Sequence, residues 1–252
     1  MIALADIALA AGAGVVGGMM NALAGGGTFA TLPALLALGV PANIANATSN
    51  VALMPAAGTS AWAFRDELKP LGDVSVRVLA AITFVGGLIG SALLVLTPSH
   101  AFDLIVPWLV LYAFVLLAIG PRAATWLRAR VSIGARTLMT AQALLGVYGG
   151  YFGGGVGMMT TATYGLLAGH SPREMFAPRT LMLAIANAAA AIVFVIAGMV
   201  AWSACVPMVT GSIIGGWFGA RVGRRLPNGA VRVWTLLVTG GTTLVFFWRA
   251  YH

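Results

Sequence analysis

Between Asp6 and Arg65, and again between Arg77 and Asp103, the chain carries no Asp, Glu, Lys or Arg. Runs of that length cannot clothe a domain in water, where charged side chains cover much of the outside. They suit a bilayer, whose hydrocarbon core takes about 20 apolar residues per helical crossing. Apolar segments at 3–24, 43–64, 76–97, 104–120, 136–152, 178–200, 203–221 and 232–249 each read as a crossing. With 60% hydrophobic and 8% charged residues, 1–252 is expected to form a single membrane domain. No basic stretch precedes the first segment, so it reads as a retained span and not as a signal peptide.

The net charge of +8 arises from 14 Lys and Arg against six acids. These cations lie mainly between apolar segments, with no basic stripe interleaved with aromatics, which argues against a nucleic-acid partner and makes them markers of orientation. Two shorter apolar pieces, 28–38 and 156–168, follow glycine clusters and at about 1.5 Å per residue are too short for an ordinary crossing. If they leave the chain on the same side and the amino terminus is cytoplasmic, the positive residues divide almost evenly. If each reverses the chain and the amino terminus faces out, every Lys and Arg except Arg249 falls inside. The second arrangement satisfies the positive-inside rule, places both termini on the outer side, and makes the two halves antiparallel.

Internal similarity agrees. GGMMNALAGGGTF at 17–29 is echoed by LGVYGGYFGGGVG at 145–157, ANATS at 45–49 aligns with APRTL at 177–181, and GGLIGS at 86–91 with GSIIGG at 211–216. The expected fold is therefore an all-α integral membrane protein of two inverted-topology repeats. It has about eight transmembrane helices plus two short broken or re-entrant half-helices. Repeat one covers 1–120, a cytoplasmic connecting loop 121–136, and repeat two 137–252. The spacings Gly86 to Gly90, Gly211 to Gly215 and Gly215 to Gly219 read as close helix packing.

Three adjacent glycines each cost a helix roughly 1 kcal/mol relative to alanine, so Gly25, Gly26 and Gly27 favour a break, as do Gly153, Gly154 and Gly155. Freed backbone groups cannot face lipid, so each break is expected to be buried or to line a cavity. Thr28 is placed to cap the restarted helix, whose amide end suits an anion. Paired breaks entering from opposite sides are an architecture of secondary transporters. The uncharged polar residues Asn46, Thr48, Ser49, Tyr151, Thr180 and Asn187 gather near the breaks as candidate contacts, although Thr48, Ser49 and Asn50 cannot all face one side of a helix. The six carboxylates lie near span ends or in loops, which disfavours a carboxylate-based cation or proton site. Arg179 opens a long apolar segment, aligns with uncharged Ala47, and is the candidate anion contact; Arg173 is a weaker one.

Gly25-Gly26-Gly27, Pro33, Gly39 and Ala45-x-x-Thr48-Ser49, repeated more loosely in the second half, resemble the sulfite exporter TauE/SafE family of membrane permeases, over nearly the whole chain. The resemblance implies an anion permease of a bacterial inner membrane, handling sulfite, sulfonates or related organosulfur compounds. The second half departs from the pattern: Thr161 stands where a proline would match Pro33, and Arg179-Thr180 replaces a small residue and Thr. The expected mechanism is rocking of two inverted halves, with the lipid bilayer and a small-molecule anion as partners; a homodimer is compatible with it. The alternative is an assembly factor that transports nothing. No H-E-x-x-H, G-x-S-x-G, P-loop or intramembrane Asp pair is present, and His100, His170 and His252 lie near loops or the end, so enzymatic activity, ATP hydrolysis, a cofactor and a metal are not expected. Cys205, the single cysteine, permits no internal disulfide and reads as packing.

Overall fold

A computed structural model describes all residues except 1–3, 72, 129–133, 168–174, 224–227 and 252. Ten α-helices fill it: α1 Leu4–Ala24, α2 Thr28–Ala37, α3 Ala42–Ala63, α4 Val76–Leu96, α5 Ser99–Arg128, α6 Ala135–Tyr151, α7 Val156–Leu167, α8 Phe176–Ile196, α9 Trp202–Gly223 and α10 Asn228–Tyr251. Local chemistry sets many of these limits. Pro41 and Ser75 precede α3 and α4 in extended conformation, and Ser75 accepts the Val78 amide. Gly39 and Gly198 adopt positive φ after α2 and α8, where bonds from Val40 to Leu35 and from Met199 to Phe194 close the last turns. A helix occurs at each of the expected apolar segments, with one correction: α5 runs from Ser99 to Arg128 and not from 104 to 120, so helix occupies much of the segment read as a connecting loop from 121.

Among the described residues five helices, α1, α4, α5, α8 and α9, are long and apolar enough to cross a membrane. α3 has 22 residues but is more polar, and its polarity is hidden: Asn46, Thr48, Ser49 and Asn50 are buried among α1, α2, α5, α8 and α9. Apolar side chains lie outside instead. Leu96 and Ile196 are 79% and 82% exposed and Leu244 is 74% exposed, a surface suited to lipid and not to water. Trp62 beneath Arg65, Trp217 beneath Arg221, and Tyr251, hydrogen-bonded to Trp108, sit near helix ends as interfacial aromatics do.

Helix partners repeat in a crossed pattern. α1 packs along α9 and α6 along α4; α3 packs on α9 and α8 on α4; α3 also meets α8, and α5 meets α10. The order of contacts gives directions. Gly14 lies against Met208, Gly18 against Ser212 and Gly219 against Met19, so α1 and α9 are parallel. Gly86 lies against Ala143 and Gly90 against Val147, so α4 and α6 are parallel too. Ser212 bonds Ala52, and Gly216 approaches Ala56, which aligns α9 with α3; Thr83 meets Met182, and Gly87 meets Ala186, which aligns α4 with α8. Two parallel trios result, α1/α3/α9 and α4/α6/α8. Each draws helices from both halves of the sequence. Where α3 ends, Phe64 packs on Phe176 at the start of α8, so the trios oppose one another there.

Glycine makes the parallel pairs possible. A β-carbon on Gly90 would fall on the carbonyl of Val147, one on Gly150 on that of Gly87, and ones on Gly211 and Gly215 on those of Ala11 and Val15. The small-residue spacings read from the sequence are thus backbone-to-backbone seams. The second trio also has a buried polar clamp. Tyr164 Oη donates to Gln142 Oε1 (2.6 Å), and Gln142 Nε2 donates to Thr83 Oγ1 (2.6 Å), joining α7, α6 and α4. Gln142→Leu strands the tyrosine hydroxyl and is expected to cost about 1 to 2 kcal/mol. A lowered thermal midpoint, partly restored in Gln142→Leu/Tyr164→Phe, is the expected measurement.

Candidate functional site

The two glycine breaks meet. Gly157 N donates to Gly25 O (3.3 Å), and a β-carbon on Gly25 would stand 2.5 Å from the Gly157 Cα, so the chains touch with no side chain between them. Gly25 and Gly153, at corresponding places in the two halves, take φ of 77° and 74°, and Gly155 takes 77°. All six glycines of the triplets are buried, as are the starts of α2 and α7.

Thr28 does not cap α2. Gly27 holds the cap position without a side-chain bond of its own, and Thr28 already lies inside the helix. The capping oxygen comes from α1: Asn21 Oδ1 accepts the amide of Gly27 (3.4 Å), while Thr31 Oγ1 donates to Gly27 O (3.2 Å). The threonine was the expected cap because such bonds usually span two or three residues; here the break folds the chain back on α1, and a residue six positions earlier takes the role.

Each broken helix ends under a side chain of the opposite trio. Arg179, from α8, donates to Ala22 O (3.3 Å) and Leu23 O (3.4 Å) in the last turn of α1, where a cation complements the helix dipole. Asn46, from α3, donates to Tyr151 O (3.0 Å) in the last turn of α6, and Asn50 reaches Phe152 O (3.4 Å). Tyr151 stands 128 positions after Leu23, the same offset as the glycine triplets. The counterpart of Arg179 is thus Asn46, not the aligned Ala47.

The remaining candidates divide. Ser49 bonds Thr31 (2.5 Å), and Thr48 Oγ1 accepts the Ala201 amide at the start of α9 (3.0 Å), so the polar run Thr48-Ser49-Asn50 faces α9, α2 and α6 in turn. Thr180 bonds the carbonyls of Phe176 and Ala177 in its own helix, and Tyr151 Oη reaches Thr97. Asn187, in mid α8, is buried with Oδ1 unpartnered. Arg173 lies outside the described residues, as do His170 and His252.

Four buried polar atoms take no partner among the described residues: Asn21 Nδ2, Arg179 Nε, Asn46 Oδ1 and Asn187 Oδ1. Arg179 is 7% exposed, its guanidinium lies 4.4 Å from the Phe176 ring centre, and no carboxylate among the described residues pairs with it. A buried cation compensated only by neutral groups is suited to a transient anion. The recess between α5 and α10, lined by Phe114, Ala118, Leu237 and Gly240, is apolar and offers no such chemistry. No cluster of His, Cys, Asp and Glu able to hold a metal occurs among the described residues.

The sequence profile of the sulfite exporter TauE/SafE family matches residues 10–246. The chain is 27% identical over 213 residues to the "Probable membrane transporter protein YfcA" of Escherichia coli (strain K12), covering 84% of this chain and 77% of that one. It is 28% identical over 211 residues to a "Probable membrane transporter protein" of Haemophilus influenzae, covering 83% and 82%. A third relative, the "Probable membrane transporter protein ORF9" of Sinorhizobium sp, is 26% identical over 230 residues, covering 90% and 85%. No solved structure matches the chain significantly.

Proposed function

Because the chain belongs to the sulfite exporter TauE/SafE family, we propose that it is a secondary transporter carrying a small anion, of the sulfite, sulfonate or related organosulfur class, through its paired breaks. It is an integral membrane protein of a transporter family, and its relatives are membrane transporters by name. The observation that carries the finer reading is the direct contact of Gly25 with Gly157 beside an arginine buried with no carboxylate partner among the described residues. Broken helices that meet inside a protein expose amides where an anion can be held between two gates.

Two inverted repeats, 1–120 and 137–252, are supported by the crossed pairing. Exchanging α1 with α6, α3 with α8 and α4 with α9 turns one trio into the other, and the ends joined by Phe64 and Phe176 run opposite ways. The bodies that rock against each other in alternating access are then the trios, not the sequence halves. Trp108, in the first half of α5, touches Tyr251 at the end of α10, and Asn43 near the start of α3 bonds Thr97 after α4. These contacts fit an amino and a carboxyl terminus on one side, and the distribution of Lys and Arg favours the outer face of a bacterial plasma membrane for it.

Purified protein in liposomes is expected to give anion-dependent flux of sulfite, a sulfonate or a carboxylate. Absence of flux for all three in well-folded protein overturns the proposal. Gly26→Leu would press a side chain on Met158 and Gly154→Leu on Phe152, so both are expected to abolish flux; unchanged transport in either would make the breaks purely architectural.

A further inference from the structure

We propose that the two breaks are unequal, and that the first alone holds the oxyanion group of the passenger, between Asn21 Nδ2, Arg179 Nε and the amides of Gly26 and Thr28 at the start of α2. This rests on the transport reading above and adds where the charge sits and what holds it.

The donors are concentrated on that side. Asn21 is 5% exposed; its Oδ1 is fixed by the Gly27 amide, which aims the amide group at the start of α2, and its Nδ2 has no acceptor. Arg179 bonds the carbonyls of Ala22 and Leu23, the two residues after Asn21, and its Nε likewise has no partner among the described residues. Among the described residues the amides of Gly26 and Thr28 take no acceptor. A helix of 10 residues begins at this point, adding the partial positive charge of its amide end. Two unpartnered buried donors from different helices would each be costly without a group to accept from them, and an oxyanion satisfies both.

The side chains at the second break have the opposite character. Their free polar atom near the end of α6 is an acceptor, Asn46 Oδ1, which repels an anion. The Gly157 amide is already given to Gly25 O, and Gly154 O accepts from Tyr148 Oη (2.8 Å); the Gly154 and Gly155 amides take no acceptor among the described residues, but no unpartnered side-chain donor accompanies them as Asn21 and Arg179 do at the first break. Aromatic rings fill the surroundings: Phe152 packs with Phe29, Phe102 and Tyr148 at 5.9 to 6.5 Å between centres. The residues of the first break at the matching 128-residue offset from Phe152 and Tyr148 are Ala24 and Met20. One break is a polar cradle, and the other is an aromatic plug.

Asn21→Asp separates a ligand role from a structural one. The aspartate keeps the oxygen that takes the Gly27 amide, and a negative group at a helix start beside Arg179 is favourable to the fold. It also occupies the place of the anion. Wild type and variant would be titrated with sulfite, methanesulfonate and acetate, following thermal midpoint in detergent and flux in liposomes. The expected result is an equal or higher ligand-free midpoint in Asn21→Asp, with the anion-induced rise lost and flux reduced at least tenfold. Arg179→Lys, which keeps the charge and lacks the Nε donor, is expected to weaken the same anion about tenfold and supplies the test if Asn21→Asp does not assemble. Wild-type affinity and flux in either assembled variant overturn the unequal-break proposal and leave the transport reading intact. A wild type that neither binds nor carries any of the three anions overturns both.

Discussion

Gly90→Leu and Gly215→Leu are each expected to leave no assembled protein. On either position a β-carbon falls within the backbone of the neighbouring helix, at Val147 or Val15, where no rotamer change can relieve the overlap. Overpacking by a methylene or two usually costs about 1 to 3 kcal/mol when side chains can yield. Here the obstacle is main chain, so the helix pair must separate, and the close contact of its whole seam is lost with it. Gly12 and Gly58 provide the control, because a β-carbon at either meets nothing within 4 Å. Gly12→Leu and Gly58→Leu should match wild type in monodisperse yield and thermal midpoint. A folded Gly215→Leu with an unchanged midpoint would mean that α1 and α9 do not lie in contact at that seam.

The second large effect belongs to the meeting point of the breaks, and three single substitutions separate its causes. Gly39 has φ of 78° and open space around it, so Gly39→Ala carries only the strain of an L-residue in the left-handed region, about 1 to 2 kcal/mol. Gly157 has no positive φ, but its β-carbon would approach the Gly25 Cα to 2.7 Å, so Gly157→Ala carries only the contact. Gly25→Ala carries both. Flux is expected to survive Gly39→Ala at near wild-type level, to fall at least tenfold in Gly157→Ala, and to vanish in Gly25→Ala, with stability lowest in the last. Equal behaviour of Gly25→Ala and Gly39→Ala, in flux and in midpoint, would show that the two breaks do not press on each other.

Much of this architecture could be read from the chain itself because the membrane imposes simple rules. Long uncharged runs become helices, since the lipid offers backbone groups no other partner, and glycine triplets inside them become breaks because glycine weakens a helix. The half-helices at 28–38 and 156–168 accordingly appear as α2 and α7. The misses have a common origin in contacts between distant residues. Thr28 satisfied the local rule for a cap, whereas the oxygen that does the work belongs to Asn21, brought back by the turn at Gly25. Aligning the repeats placed Arg179 opposite Ala47, but the equivalent task falls to Asn46 because equivalence is set by which carbonyl is reached, Leu23 or Tyr151, and not by position along the helix. The apolar run understates the length of α5 because its polar ends, Ser99 to Asp103 and Pro121 to Arg128, end the run without ending the helix.

The crossed trios constrain how such a chain could have arisen. Within either half, the first helix does not pack on the fourth; α1 rests on α9, and α6 on α4. On the proposed inverted-repeat reading, a primitive polypeptide made of one half alone would have had a glycine-lined face with nothing in its own sequence to lie against. Its sole remedy would have been a sister molecule threaded upside down through the same bilayer, so gene fusion would have joined two already interlaced, oppositely inserted copies.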